Sequence, residues 1–218
     1  MRKPVVDYRN FRLSKINTPQ FSHLKYLLGW VGYFIMYVLT ENLIPRENCH
    51  VVHSVVDDLI PFCEVFVIPY VFWYALVAGS LLWFALYNVD GFKKLSKYII
   101  ITQVIAMTVY IIFPNCQNLR PDVFARDNIF TKLVGLIYTV DTSTNVCPSL
   151  HVGYSLGILS VWLREKTASK AVKIFVAVTV LLVCMSVTFI KQHSFVDVIA
   201  AIPMCLIAEY IVFYRRKK

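Results

Sequence analysis

The sequence predicts an all-α integral membrane protein of six transmembrane helices, with its polar residues gathered at the extracytoplasmic side. Three observations carry this. The 218 residues are 58% hydrophobic and only 16% charged, with a mean hydropathy of +0.61, whereas soluble domains lie nearer half apolar and a quarter charged. Several runs approach the roughly 20 apolar residues that a bilayer-spanning helix needs. The basic residues fall in four clusters that alternate with pairs of these runs.

The runs are, in order, Leu24 to Leu43, Pro61 to Tyr87, Tyr98 to Phe113, Leu150 to Leu163, Val172 to Ile190 and Phe195 to Phe213. They define a membrane domain over 24–214, preceded by an N-terminal segment 1–23 and followed by a basic tail 215–218. The N-terminus has no adjacent apolar core and no small-residue cleavage site, so no cleavable signal peptide is expected. The basic clusters are MRKPVVDYRNFRLSKINTPQFSHLK, DGFKKLSK, REKTASKAVK and YRRKK, and they hold seventeen of the 22 Lys and Arg residues. Six spans put all four on one side, and an odd number would divide them. The positive-inside rule therefore places both termini in the cytoplasm of a multi-pass protein of the cell membrane. The net charge of +9 is mostly this bias. No basic stripe lies elsewhere to suggest a nucleic-acid partner; anionic lipid is the expected contact.

The longest polar connection runs from Pro114 to Pro148, and within it VFARDNIFTKLVGLIY has the pattern of a surface-lying amphipathic helix. Cys184 and Cys205 sit in apolar runs as small core residues. Cys116 and Cys147 flank the long connection, and a bridge between them is one possible pairing among several. No cysteine–histidine cluster has metal-ligand spacing, and no metal or other cofactor is expected.

Three polar patches remain once the cytoplasmic side is set aside: CQNLRPD, VCPSLHVG and FIKQHSFVDV. Six-span topology puts all three on the outer face. His193 and Asp197 are four apart and share a helix face, so the carboxylate can fix the imidazole tautomer and raise the basicity of its far nitrogen. Ser149 and His151 stand at a helix start, where free N–H groups favour a phosphate. Arg120 offers a planar fork for phosphate oxygens and Lys191 a point charge. Glu64, inside the second run, could face a cavity or bond between helices. Tyr70, Trp73 and Tyr74 are packing or interfacial-belt residues, with a lipid-tail groove as an alternative.

Pro148-Ser149-Leu150-His151, preceded by Arg120-Pro121 and followed by His193 and Asp197, resembles the type 2 phosphatidic acid phosphatase superfamily of membrane lipid phosphatases. Phe113 and Val187 stand where that pattern has a lysine and an arginine. In this respect the chain is more similar to the inositol phosphorylceramide and sphingomyelin synthase branch, and VDDLIPFCEVFVIPYVFWY resembles bacterial members near it. The resemblance implies an extracytoplasmic active site acting on a phospholipid or polyprenyl phosphate. His193 would be the nucleophile, Asp197 its orienting partner and His151 the general acid and base. Arg120, Ser149 and Lys191 would hold phosphate oxygens. Three functions are compatible: a lipid phosphate phosphatase, a headgroup transferase acting on a lipid hydroxyl, and a non-catalytic lipid transporter or scaffold.

Overall fold

The computed structural model describes residues 3–215; all of the basic tail but Arg215 lies outside them. The chain is mostly helical. Short 3-10 turns at Leu13–Lys15 and Ser22–Leu27 lead into α1 (Leu28–Leu43). A two-residue strand β1 (His50–Val51) and a short α2 (Val55–Leu59) precede α3 (Val67–Tyr87), α4 (Val89–Ile112), β2 (Asn115–Cys116) and α5 (Ile129–Val140). Helices α6 (Leu150–Arg164), α7 (Lys170–Phe189) and α8 (Phe195–Glu209) complete the bundle.

Among the described residues, four helical stretches are long and apolar enough to cross a membrane: Glu64–Tyr87, Val89–Ile112, Lys170–Phe189 and Phe195–Tyr214. The other two runs form shorter helices. With 16 residues α1 is about 24 Å long, and with 15 residues α6 is about 22 Å. DGFKKLSK, a basic cluster that lies before the third apolar run, is part of the opening of α4. Asn88 caps that helix by accepting the Gly91 N–H at 3.0 Å, and Asp90 pairs with Lys94 four residues on at 2.6 Å. Hydropathy reads charge as the end of a span, but a helix needs no apolar residues where it leaves the lipid. The amphipathic helix expected in the long connection forms as α5, burying Thr131, Val134 and Ile137 while Leu136 and Val140 face outward.

Helix α6 is the centre of the bundle, packed against α3, α4, α7 and α8. Its small residues make this possible. A Cβ at Gly157 would stand 2.4 Å from Tyr98 Cδ1, and one at Gly153 would stand 2.8 Å from Met204 Cε. Small residues four apart let helix axes approach closely in an apolar medium. Polar side chains inside are paired: Gln103 donates to the Tyr154 hydroxyl at 2.8 Å, and the Trp162 indole donates to Ser80 at 3.0 Å. The outer faces are apolar too. Phe34, Ile35 and Val38 on α1, Phe175, Val178 and Leu181 on α7, and Ile199 and Leu206 on α8 are all exposed. A contiguous apolar exterior of this kind suits lipid and would be a liability in water.

The two ends of the bundle differ in chemistry. At one end the N-terminal segment folds onto the α3–α4 corner, where Val5 N–H and the Tyr8 hydroxyl reach the carbonyls of Leu86 and Ala85 at 2.7 and 2.8 Å. Asn88 donates to Glu165 at 2.6 Å and Arg164 pairs with Glu209 at 2.5 Å. At the other end lie the start of α3, the C-termini of α1, α4, α5 and α7, and the N-termini of α6 and α8. A clamp holds that second end together. Asp57, 3% exposed, accepts from the Ser194 hydroxyl at 2.6 Å and the Phe195 N–H at 2.7 Å, tying α2 to the first turn of α8. The bridge between Cys116 and Cys147 is not formed: all six cysteines are free. Cys147 sits beside Asp197, and burial together with that carboxylate pushes its thiol up to about 12. The sulfur near Cys116 is that of Cys49.

Replacing Gly157 by leucine should destabilise the bundle by about 1–3 kcal/mol, the usual cost of overpacking. The thermal midpoint in detergent should fall, while Gly79→Leu, where a Cβ meets nothing within 4 Å, should leave it nearly unchanged. A second expectation concerns Asp57. Burial pushes its carboxyl up, but hydrogen bonds from Ser194, Phe195 and Ser54 outweigh this and hold it below the ordinary value. The native state therefore binds its proton less readily than the unfolded chain. The stability it contributes is full above about pH 4, the unperturbed value, and is lost as pH falls through the native one. Asp57→Asn should cost about 1.5–3 kcal/mol at neutral pH, and its thermal midpoint should converge with that of the parent protein in acid.

Candidate functional site

The polar end of the bundle is built from the segment before α6, the turn between α7 and α8, β2 with the residues after it, and the C-terminus of α5. The α7–α8 turn is tight. Lys191 adopts a left-handed backbone, φ 55°, which L-residues populate sparsely. The N–H groups of Gln192 and His193 both return to the Val187 carbonyl at 2.9 Å. His193 is thereby folded back over the start of α8, where it is only 7% exposed.

Its ring is fixed by two acceptors. Nδ1 lies 3.0 Å from the Val146 carbonyl and 3.2 Å from Asp197 Oδ2. A carbonyl can only accept, so Nδ1 carries the proton and Nε2 of the neutral ring keeps its lone pair. The His151 ring stands 5.5 Å away, centroid to centroid, at 66°. It rests on Trp73 and Tyr70, with centroids at 4.3 and 4.7 Å. Its Nε2 is buried with no partner among the described residues. A buried nitrogen left in this way costs about 1–3 kcal/mol, a penalty that a bound ligand would remove. Both imidazoles line a polar cavity of about 60 Å³, together with Tyr33, Tyr37, Asp141, Asn145 and Gln192.

The other residues singled out in the sequence are placed differently. Asp197 stands behind His193 and also accepts the Ser194 N–H at 2.9 Å, closing the capping box of α8. Ser149 is fully buried as the N-cap of α6, its N–H bonded to the Asp197 carbonyl at 3.1 Å. Neither lines the cavity. Arg120 spends its fork on backbone: Nη1 donates to the Tyr138 carbonyl at 3.1 Å, and Nη2 to those of Asp141 and Thr142 at 2.6 and 2.7 Å. It thus caps the C-terminus of α5, where a cation is favoured. Its plane lies 4.5 Å over the Tyr138 ring. Burial pulls its pKa down, and the charge of Asp141 opposes this. Lys191 does the same for α2, donating to the carbonyls of Asp57 and Ile60 at 2.8 and 2.5 Å. Burial lowers its pKa while Asp57 and Asp58 raise it. Glu64 accepts from Arg126 and Asn128 at 3.0 and 3.1 Å, anchoring the start of α5.

Several residues that the sequence reading passed over hold the site. Asp141 faces the cavity, and its Oδ2 accepts from the Tyr70 hydroxyl at 2.5 Å and from Gln192 at 3.0 Å. Gln192 in turn accepts from Arg120 at 2.6 Å, so the guanidinium reaches the cavity wall through one amide. Asn115 is fully buried. Its side-chain oxygen accepts the N–H groups of Val146 and Cys147 at 2.9 and 2.7 Å, and its amide donates to the Cys147 carbonyl at 3.0 Å. It therefore sets the position of the carbonyl that holds His193. Gln117 grips the opposite wall, donating to the Lys191 carbonyl at 3.0 Å. Glu41, from the end of α1, accepts from Thr142 and Thr144 at 2.7 and 2.8 Å and also from Asn145. The one available signal was the density of short polar residues in DTSTN, which exceeds what a plain connection needs.

The arrangement offers two neighbouring imidazoles on one cavity, the first held at Nδ1 by two acceptors. Compared with known proteins, the chain matches no family model, no curated protein and no solved structure.

Proposed function

We propose that this protein is a membrane enzyme that cleaves the P–O bond of a lipid phosphate through a phosphohistidine on His193. The observation that carries the reading is the fixed tautomer of His193. Nδ1 is held by Val146 and Asp197, which leaves Nε2 for a substrate in the cavity that His151 also lines. In this reading α1 and α6 complete a set of six membrane segments, both termini are cytoplasmic, and the chamber opens outside.

The steps balance as follows. His193 Nε2 attacks phosphorus and forms an N–P bond. The lipid oxygen leaves with its electron pair and takes a proton from His151, which enters this step as the imidazolium held by the negative charge of the bound phosphate. Asp197 and the Val146 carbonyl stabilise the positive ring that results. Neutral His151 then removes a proton from water, whose oxygen attacks phosphorus and breaks the N–P bond, releasing phosphate and restoring His193. Help of this kind from one positioned imidazole is worth roughly 10²–10⁴ in rate. Arg120 supplies its charge from behind Gln192, and Lys191 and Ser149 act by holding the turn and the helix start on which the two histidines sit.

A second reading replaces water by a lipid hydroxyl, making the protein a headgroup transferase. Phe113 and Val187 favour it, because they stand where the phosphatase pattern has cations. Asp141 on the cavity wall points the same way, since a carboxylate there disfavours a dianionic phosphomonoester.

Purified protein in detergent, given phosphatidic acid and a polyprenyl phosphate, is expected to release inorganic phosphate. Headgroup exchange onto a lipid alcohol without free phosphate would select the transferase. Lipid retained with no turnover at all would mean a transporter or scaffold. His193→Ala should abolish turnover in a protein that still folds, with a thermal midpoint lowered by the about 1–3 kcal/mol that the unpaired Val146 carbonyl and Asp197 carboxylate cost. His151→Ala should slow it roughly 10²–10⁴-fold, and Asp197→Asn should fall between His193→Ala and the parent protein. Full activity in His193→Ala would refute the nucleophile assignment.

A further inference from the structure

Beside the histidine chamber lies a much larger apolar cleft. Helix α1 leans on α4, and a cavity of about 660 Å³ opens between α1 and α3. That volume is within the range of small-molecule binding sites, roughly 300–1,000 Å³. Its walls are Trp30 and Phe34 from α1 and Trp73, Val77, Ala78 and Leu81 from α3. Among the described residues, Asp141 is the single carboxylate on its lining, and no Lys or Arg lines it. It is open sideways, since Phe34 and Tyr74 are each more than half exposed.

Two features decide what fills it. The first is continuity. Tyr33, Tyr37, Asp141, Leu150 and His151 line both the cleft and the histidine chamber, so the two spaces share a mouth at the polar end. The second is depth. The lining runs from Tyr37 on α1 back to Leu27, the last residue of the turn before it, about 15 Å at 1.5 Å per residue. That is half of a hydrocarbon core of about 30 Å, or one leaflet. A polar head at the mouth and an apolar slot one leaflet deep behind it describe a single kind of occupant.

We propose that the α1–α3 cleft binds a hydrocarbon chain of the substrate lipid while its phosphate sits between His151 and His193. The inference rests on the chamber being the reacting site, and it adds where the lipid enters and which residues select it. The lipid slides in sideways from the outer leaflet between α1 and α3 without leaving the bilayer. Recognition of the chain is apolar and spread over both helices, so it depends on length and width more than on any one contact.

The test compares a long-chain lipid phosphate with a water-soluble aryl phosphate. Ala78→Trp places an indole in the cleft from the exposed side of α3. It should raise KM for the long-chain lipid at least tenfold and lower its efficiency relative to the soluble ester by a similar factor. Leu82→Trp, on the same helix but outside the cleft lining, should change neither. Equal KM in Ala78→Trp, or an equal effect in Leu82→Trp, would overturn the proposal. A lipid phosphate with a diazirine in its chain gives a readout independent of turnover. Photolabelling should fall on α1 and α3 lining residues and be competed by unlabelled lipid phosphate. Labelling spread evenly over the exposed faces of α7 and α8 would mean bulk lipid fills the cleft. If parent protein turns over neither substrate, the chamber reading falls and the labelling pattern alone decides the cleft.

Discussion

The polar end of this bundle depends on the hydrogen bond from His193 Nδ1 to the Val146 carbonyl. That one contact fixes which nitrogen carries the proton, and so which nitrogen faces the chamber. It exists because two chain segments that are distant in sequence are locked together. Asn115 holds the backbone on either side of the Val146–Cys147 peptide. Gln117, two residues on, holds the backbone of the α7–α8 turn. Two side chains in and just after β2 therefore position both walls of the site. Asp197 contributes less exclusively than its spacing suggests, because one oxygen serves both the imidazole and the α8 cap.

The placement of Arg120 and Lys191 follows from burial. A cation taken out of water must find compensating oxygen atoms. In this bundle the nearest oxygens are the unpaired carbonyls at the ends of α5 and α2, which also carry partial negative charge. Both side chains settle there. The cost is that, among the described residues, the chamber is walled by the two imidazoles, uncharged polar and apolar groups and one carboxylate, with no Lys or Arg on its lining and the Arg120 guanidinium set behind Gln192. A substrate phosphate would meet Arg120 through that amide, or by displacing it from Asp141.

Much of the architecture was legible because membrane folds obey few rules. Apolar run length located all six major helices, and the separation of basic residues anticipated the two unlike ends of the bundle. Start points were less legible: α4 begins at Val89, nine residues before hydropathy rises, because Asn88 and the Asp90–Lys94 pair support helix in polar sequence. In the site, the pair His193 and Asp197 was legible from its spacing of four and His151 from its place at a helix start. Asn115, Gln117 and Asp141 were not, since nothing in their neighbourhood repeats or alternates. Their roles come from contacts across 31 to 75 positions, such as those that join β2 to the α6 lead-in and Gln117 to the α7–α8 turn, which local pattern does not encode. The tie of Arg120 and Lys191 to helix ends was hidden for the same reason.

The most direct measurement is to quench the protein in alkali during incubation with phosphorus-labelled lipid phosphate and map any modified residue by mass spectrometry. The expected result is an acid-labile, base-stable phosphoryl group on His193, present in the parent protein and absent from His193→Ala. No phosphoryl group on His193 under conditions of turnover, or one on His151 instead, would contradict the assignment of the open Nε2 as the attacking atom.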